Sequence, residues 1–116
     1  MARVVAFVPD LLFGSNVAGA VGAAGHEPVL VGNADALRAS LPGAALLIVD
    51  LTSDAPERIA HVIGLRPPGV PTLAFYSHVE TEVRADAERA GFDLVIPRSR
   101  MAREGAALVQ RLLGGA

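Results

Sequence analysis

The run Leu46-Leu47-Ile48-Val49-Asp50-Leu51-Thr52 constrains the chain more than any other stretch. It is apolar, carries β-branched residues and ends abruptly in a carboxylate. With helix signals on both sides, a run of this length reads as a fully buried central strand. Asp50 then lies at the strand's carboxyl end, which in an open α/β sheet faces the crevice where ligands bind. A plainer role is also open to it, because an aspartate in this position can start a turn or cap the next helix.

The alternation of apolar runs and capped helical segments continues along the sequence. Residues 3–8 form a second buried strand, closed by Pro9 and Asp10. Residues 11–25 place Ala18, Val21, Gly22 and Gly25 at helical spacing, the face of a helix packed closely on a sheet. The glycines of this segment fit neither the dinucleotide fingerprint nor the Walker spacing, so close packing is the better account of them. Residues 28–32 are a short strand, and Asn33 caps a helix over 34–40. Asp54-Ala55-Pro56-Glu57 and Ser77-His78-Val79-Glu80 are both capping-box patterns. They predict helices from 54 to about 65 and from 77 to Gly91, the second charged and exposed. Strands follow at 70–76 and 92–97, and Ser99 is positioned to cap a last helix to about 113. Five strands alternating with five helices imply right-handed crossovers and a parallel sheet covered on both faces.

Composition narrows the function. With 116 residues the sequence reads as one domain over 1–116, large enough to bury about two-thirds of its unfolded surface. The absence of cysteine excludes thiolate metal sites and a cysteine nucleophile. Every basic residue is arginine, which excludes chemistry that needs a lysine ammonium or a Schiff base. A formal charge of −2 leaves no basic footprint for nucleic acid. The apolar runs are too short to span a bilayer, and no signal-peptide pattern opens the chain, so a cytoplasmic location is expected. His26 and His61 lack metal-ligand spacing and are read as structural.

Three motifs together carry a resemblance: Val49-Asp50-Leu51, Val70-Pro71-Thr72-Leu73, and Ala90-Gly91-Phe92-Asp93 leading to Pro97-Arg98-Ser99. In their joint spacing they resemble the receiver domain of bacterial response regulators, the CheY-like fold. The resemblance implies a doubly wound, flavodoxin-like (βα)5 sheet of order 2-1-3-4-5, with the site at the first and third strands. It implies that Asp50 is the phosphoacceptor and that an acidic pair after the first strand binds magnesium. Only Asp10 of Val8-Pro9-Asp10 offers a carboxylate there, so Asp10 and Asp50 are the metal ligands only if the receiver works, and no other cofactor is expected. The switch hydroxyl falls on Tyr76, with Ser77 beside it. Arg98 stands where receivers have a lysine, and Thr52 and His78 border the pocket.

These departures point to an atypical receiver, a pseudo-receiver with phosphorylation at Asp50 weakened or lost. An Arg98–Asp50 pair at about 4 Å would attract by roughly 4 kcal/mol at an effective dielectric near 20, before desolvation is subtracted. The resemblance implies a non-enzymatic signalling module whose partner, a signalling protein or a second copy, binds over 79–113. On the last helix Met101, Ala102, Leu108, Val109, Leu112 and Leu113 serve either the core or that face. Two alternatives stay open: a true phosphoacceptor, and a small-ligand domain using Asp10, Asp50, Thr52, His78 and Arg98.

Overall fold

The structure, a computed structural model, describes residues 1–77 and 79–114. Five parallel strands, β1 (Arg3–Phe7), β2 (Glu27–Val31), β3 (Leu46–Asp50), β4 (Thr72–Tyr76) and β5 (Leu94–Pro97), form one sheet in the order β2-β1-β3-β4-β5. Between and after them lie α1 (Leu11–Ala23), α2 (Ala34–Ser40), α3 (Ala55–Leu65), α4 (Thr81–Arg89) and α5 (Arg98–Leu112). This is the expected doubly wound arrangement. β3 sits between β1 and β4, and every one of its residues is buried, as an apolar run with helices over both faces requires.

Strand alternation divides the core into two layers. Val5, Phe7, Leu47, Val49, Ala74 and Tyr76 pack with Leu37 of α2, Ile59 and Val62 of α3 and Ala87 of α4. Val4, Ala6, Leu46, Ile48, Leu73 and Phe75 pack with Val17 and Val21 of α1 and Met101, Leu108 and Val109 of α5. Most of α5's apolar residues are therefore spent on the core, and Ala102 alone of the six is exposed. α1 and α5 meet closely: a Cβ built on Gly105 would lie 3.0 Å from the Ala20 Cβ. Of the residues the spacing suggests, Val21 packs as expected, but the glycines do not. Gly22 and Gly25 are exposed, and Gly25, at φ +85°, turns the chain after α1.

The sheet edge at β2 is guarded by its own sequence. Glu27 N–H donates to the Ala2 carbonyl and the Val31 carbonyl accepts from Val8 N–H, so residues 27, 29 and 31 bond inward. Pro28 and Leu30 turn their backbone outward, and Pro28 has no N–H to offer.

Of the caps expected at Asn33, Asp54, Ser77 and Ser99 only that of Asn33 forms, and Asp10 caps α1 in addition. Asp10 Oδ1 accepts from Phe13 N–H at 2.8 Å, and Asn33 Oδ1 accepts from Ala36 N–H at 2.8 Å. Asp54 makes no capping bond, because its backbone is left-handed (φ 50°, ψ 34°) and its carboxylate lies 3.8 Å from Arg58 of the next turn. The Ser77 carbonyl accepts from Glu80 N–H in a tight turn, which delays α4 to Thr81. Ser99 lies inside α5, whose cap position is Pro97. Asn33→Ala is accordingly expected to cost about 1 kcal/mol in chemical unfolding, whereas Ser99→Ala stays within about 0.5 kcal/mol of the parent.

Candidate functional site

Asp50 ends β3 and is only 2% exposed. Both of its carboxylate oxygens are engaged. Oδ1 accepts from Thr52 N–H at 2.8 Å and from the Thr52 hydroxyl at 2.5 Å. Oδ2 lies 3.7 Å from Arg58 Nη1, and the same nitrogen donates to the Asp50 backbone carbonyl at 2.8 Å. Thr52 thus does more than border a pocket, because its main chain and side chain together hold one oxygen of the acid. Hydrogen bonds to a carboxylate and a facing guanidinium stabilise its charged form where water has little access.

Arg58 was not singled out by the sequence reading, yet it supplies the cation of the site. It is 8% exposed, and its guanidinium lies 5.8 Å from the centre of the Phe7 ring. α3 turns Ala55, Arg58, Ile59 and Val62 inward, the spacing of one helical face. That spacing was a usable signal: an arginine on the apolar stripe of a helix that follows a strand ending in aspartate calls for an acid beneath it.

Arg98 does not take that place. It opens α5, is exposed, and carries its guanidinium 5.6 Å from the centre of the Phe13 ring, so the expected Arg98–Asp50 pair is not formed. Phe13 in turn packs on Phe75 of β4, with centroids 4.7 Å apart, and this aromatic stack anchors the arginine on the α1–α5 side. Ser77 lies on the same side, lining a cavity of about 260 Å³ with Phe13, Arg98, Ser99 and Ala102. Tyr76 is 4% exposed and belongs to the core layer beneath α3 and α4. His78 lies outside the described residues.

Asp10 is exposed at the start of α1 and spends Oδ1 on its cap. Among the described residues it makes no bond to the Asp50 group. Pro9, beside it, has no side-chain oxygen. Octahedral magnesium needs convergent oxygens, and the described residues contain no group of three or more histidine, cysteine, aspartate or glutamate side chains close enough to hold a metal ion. After β1 the chain thus offers one carboxylate where the receiver resemblance implies a pair. Asp10 lines one groove with Val8, Pro9 and Leu30, and Arg98 lines another with Phe13, Ser77 and Ser99. His26 Nδ1 accepts from Ala2 N–H at 3.0 Å, tying β1 to β2 at their amino ends.

A parallel sheet of this order is the flavodoxin-like, CheY-like arrangement, and an aspartate ends its third strand. No family model and no curated protein matches the chain. Solved structures share its fold. NtrX from Brucella abortus is 20% identical, with a TM-score of 0.85 over 97% of this chain and 26% of its own. A response regulator from Thermotoga maritima is 14% identical, with a TM-score of 0.84 and 98% of each chain covered. A CheY-like protein, TadZ, from Pseudomonas aeruginosa is 24% identical, with a TM-score of 0.80 over 98% of this chain and 94% of its own. The chain thus spans 26% of NtrX and nearly all of the other two. None of the described helices is long and apolar enough to cross a membrane.

Proposed function

We propose that the chain is a receiver-fold signalling module that acts through protein contacts, with the phosphorylation switch at Asp50 weakened or lost. The observation that carries this reading is the engagement of both Asp50 oxygens by Thr52 and Arg58 in a nearly solvent-free position. A phosphoacceptor must present a free oxygen in line with the leaving group, beside a metal that spreads the developing charge. Here attack through Oδ1 would first require breaking its two Thr52 bonds, attack through Oδ2 would require displacing Arg58, and either would require uncovering a buried acid. On this reading the module is non-enzymatic, needs no cofactor and works in the cytoplasm.

Its partner is another signalling protein or a second copy, and the expected face is 79–113. The outward side of that face is charged. α4 carries Glu82, Arg84, Asp86, Glu88 and Arg89, with ion pairs between Arg84 and Glu88 and between Asp86 and Arg89. α5 presents Arg98, Arg103 and Arg111, all exposed. The two helices cover opposite faces of the sheet on either side of β5, α4 carrying both signs and α5 an excess of arginine, and such charges favour orientation and encounter rate over raw affinity.

The test is an amide NMR titration with magnesium and then beryllofluoride, a stable stand-in for the phosphoryl group. Wild type is expected to give no saturable shifts around Asp50. Magnesium-dependent shifts there that vanish in Asp50→Asn would instead establish a working phosphoacceptor.

A further inference from the structure

The first turn of α1 is built against the usual rule for helix starts. Leu11 is 89% exposed and Leu12 85%, while Phe13, Gly14, Val17 and Val21 do the helix's packing. Two adjacent leucines contribute almost nothing to this fold, yet they stand at the carboxyl end of the sheet. Beside them lies a groove of about 310 Å³ lined by Val8, Pro9, Asp10, Leu11, Gly14 and Leu30, the last 47% exposed. Gly14 helps to keep it open, since a Cβ there would lie 3.6 Å from the Leu30 Cδ1. An apolar ridge next to an apolar groove is a self-complementary shape.

The charges that flank the ridge are self-complementary as well. Asp10 lines the groove on one side, and Arg98 lies over Phe13 on the other. Among the described residues neither has an ion-pair partner. The patch is therefore neutral in sum, with one exposed acid and one exposed base. We propose that this surface binds a second copy of the chain about a two-fold axis, the ridge of each copy entering the groove of the other. Each Asp10 then faces the other copy's Arg98. Such an isologous contact closes on itself, because the same patch is used twice. The inference goes beyond the signalling reading, and its surface centres on the first turn of α1, meeting 79–113 only at Arg98. A patch of this size belongs to the weak end of specific interfaces, so association depends on concentration.

Sedimentation velocity on the full chain, from about 10 µM to about 1 mM, tests it in the range expected of small interfaces. Wild type is expected to shift from monomer towards dimer across that range. Leu12→Glu, at a position that does not serve the core, should keep the circular dichroism melt and weaken association at least tenfold. Arg98→Glu, which sets acid against Asp10, should weaken it similarly. Arg38→Glu, exposed on α2 across the sheet from α1, should leave it unchanged. A wild type that stays monomeric throughout overturns the proposal. So does a dimer that survives Leu12→Glu and Arg98→Glu but is lost in Arg103→Glu, which would place self-association on 79–113 instead. The beryllofluoride titration addresses phosphorylation separately, so the two readings fail independently.

Discussion

Arg58→Met is expected to lower the free energy of unfolding by about 3–5 kcal/mol, the usual cost of leaving one member of a buried ion pair without its partner. Methionine fills much of the volume of the arginine stem, so little of the loss comes from packing. The remainder arises because Asp50 stays in a site that admits almost no water and keeps only the Thr52 donors. The backbone carbonyl of Asp50 also loses its bond from Arg58 Nη1. Adding Asp50→Asn in the Arg58→Met background removes the stranded charge while preserving the shape that Thr52 grips. Most of the lost stability should return, so the two substitutions should be strongly non-additive in a double-mutant cycle. Guanidinium unfolding measures it directly, provided the slope m is unchanged across the four proteins. A cost below about 1 kcal/mol for Arg58→Met would mean that Asp50 does not depend on this cation.

The second large effect is expected at Phe75. Its side chain is fully buried in β4 between the sheet and the α1–α5 layer, and truncation to alanine should cost about 3–5 kcal/mol through lost transfer energy and an unfilled cavity. That is a large share of the stability of a domain, typically about 5–15 kcal/mol, so Phe75→Ala should unfold at markedly lower denaturant. Phe75→Leu, which keeps most of the volume, should cost much less. The ring also supports Phe13, which carries Arg98. In a leucine variant that stays folded, NMR signals of Phe13 and Arg98 should move while those of Thr52 and Arg58 do not. Equal movement of both groups would show that the Arg98 stack and the Asp50 lock are not separate.

The framework of the fold was legible because it rests on local pattern. The apolar run of β3, the proline and glycine punctuation between elements and the Asn33 cap each fix an element from its own residues. The site was only partly legible. Asp50 and Thr52 could be placed from the end of β3, two residues apart on one loop. The cation on Asp50 could not be chosen from position alone, because two arginines, 58 and 98, compete for it across the sheet's end. Packing decided between them: Phe13, held by Phe75, takes the Arg98 guanidinium, and the inward face of α3 delivers Arg58. The failed capping boxes have a similar cause. Asp54 and Ser77 have the right identity and spacing for caps, but the chain leaving β3 and β4 turns before the helix axis is set. A capping motif specifies partners and leaves the approach direction free.

The proline in β2 has a consequence for crowded solutions. A strand approaching that edge would find a single free N–H, that of Leu30, along the five residues. Backbone stacking from molecule to molecule therefore cannot propagate there. Even at high concentration, strand pairing at that edge should end in small discrete particles instead of growing fibres.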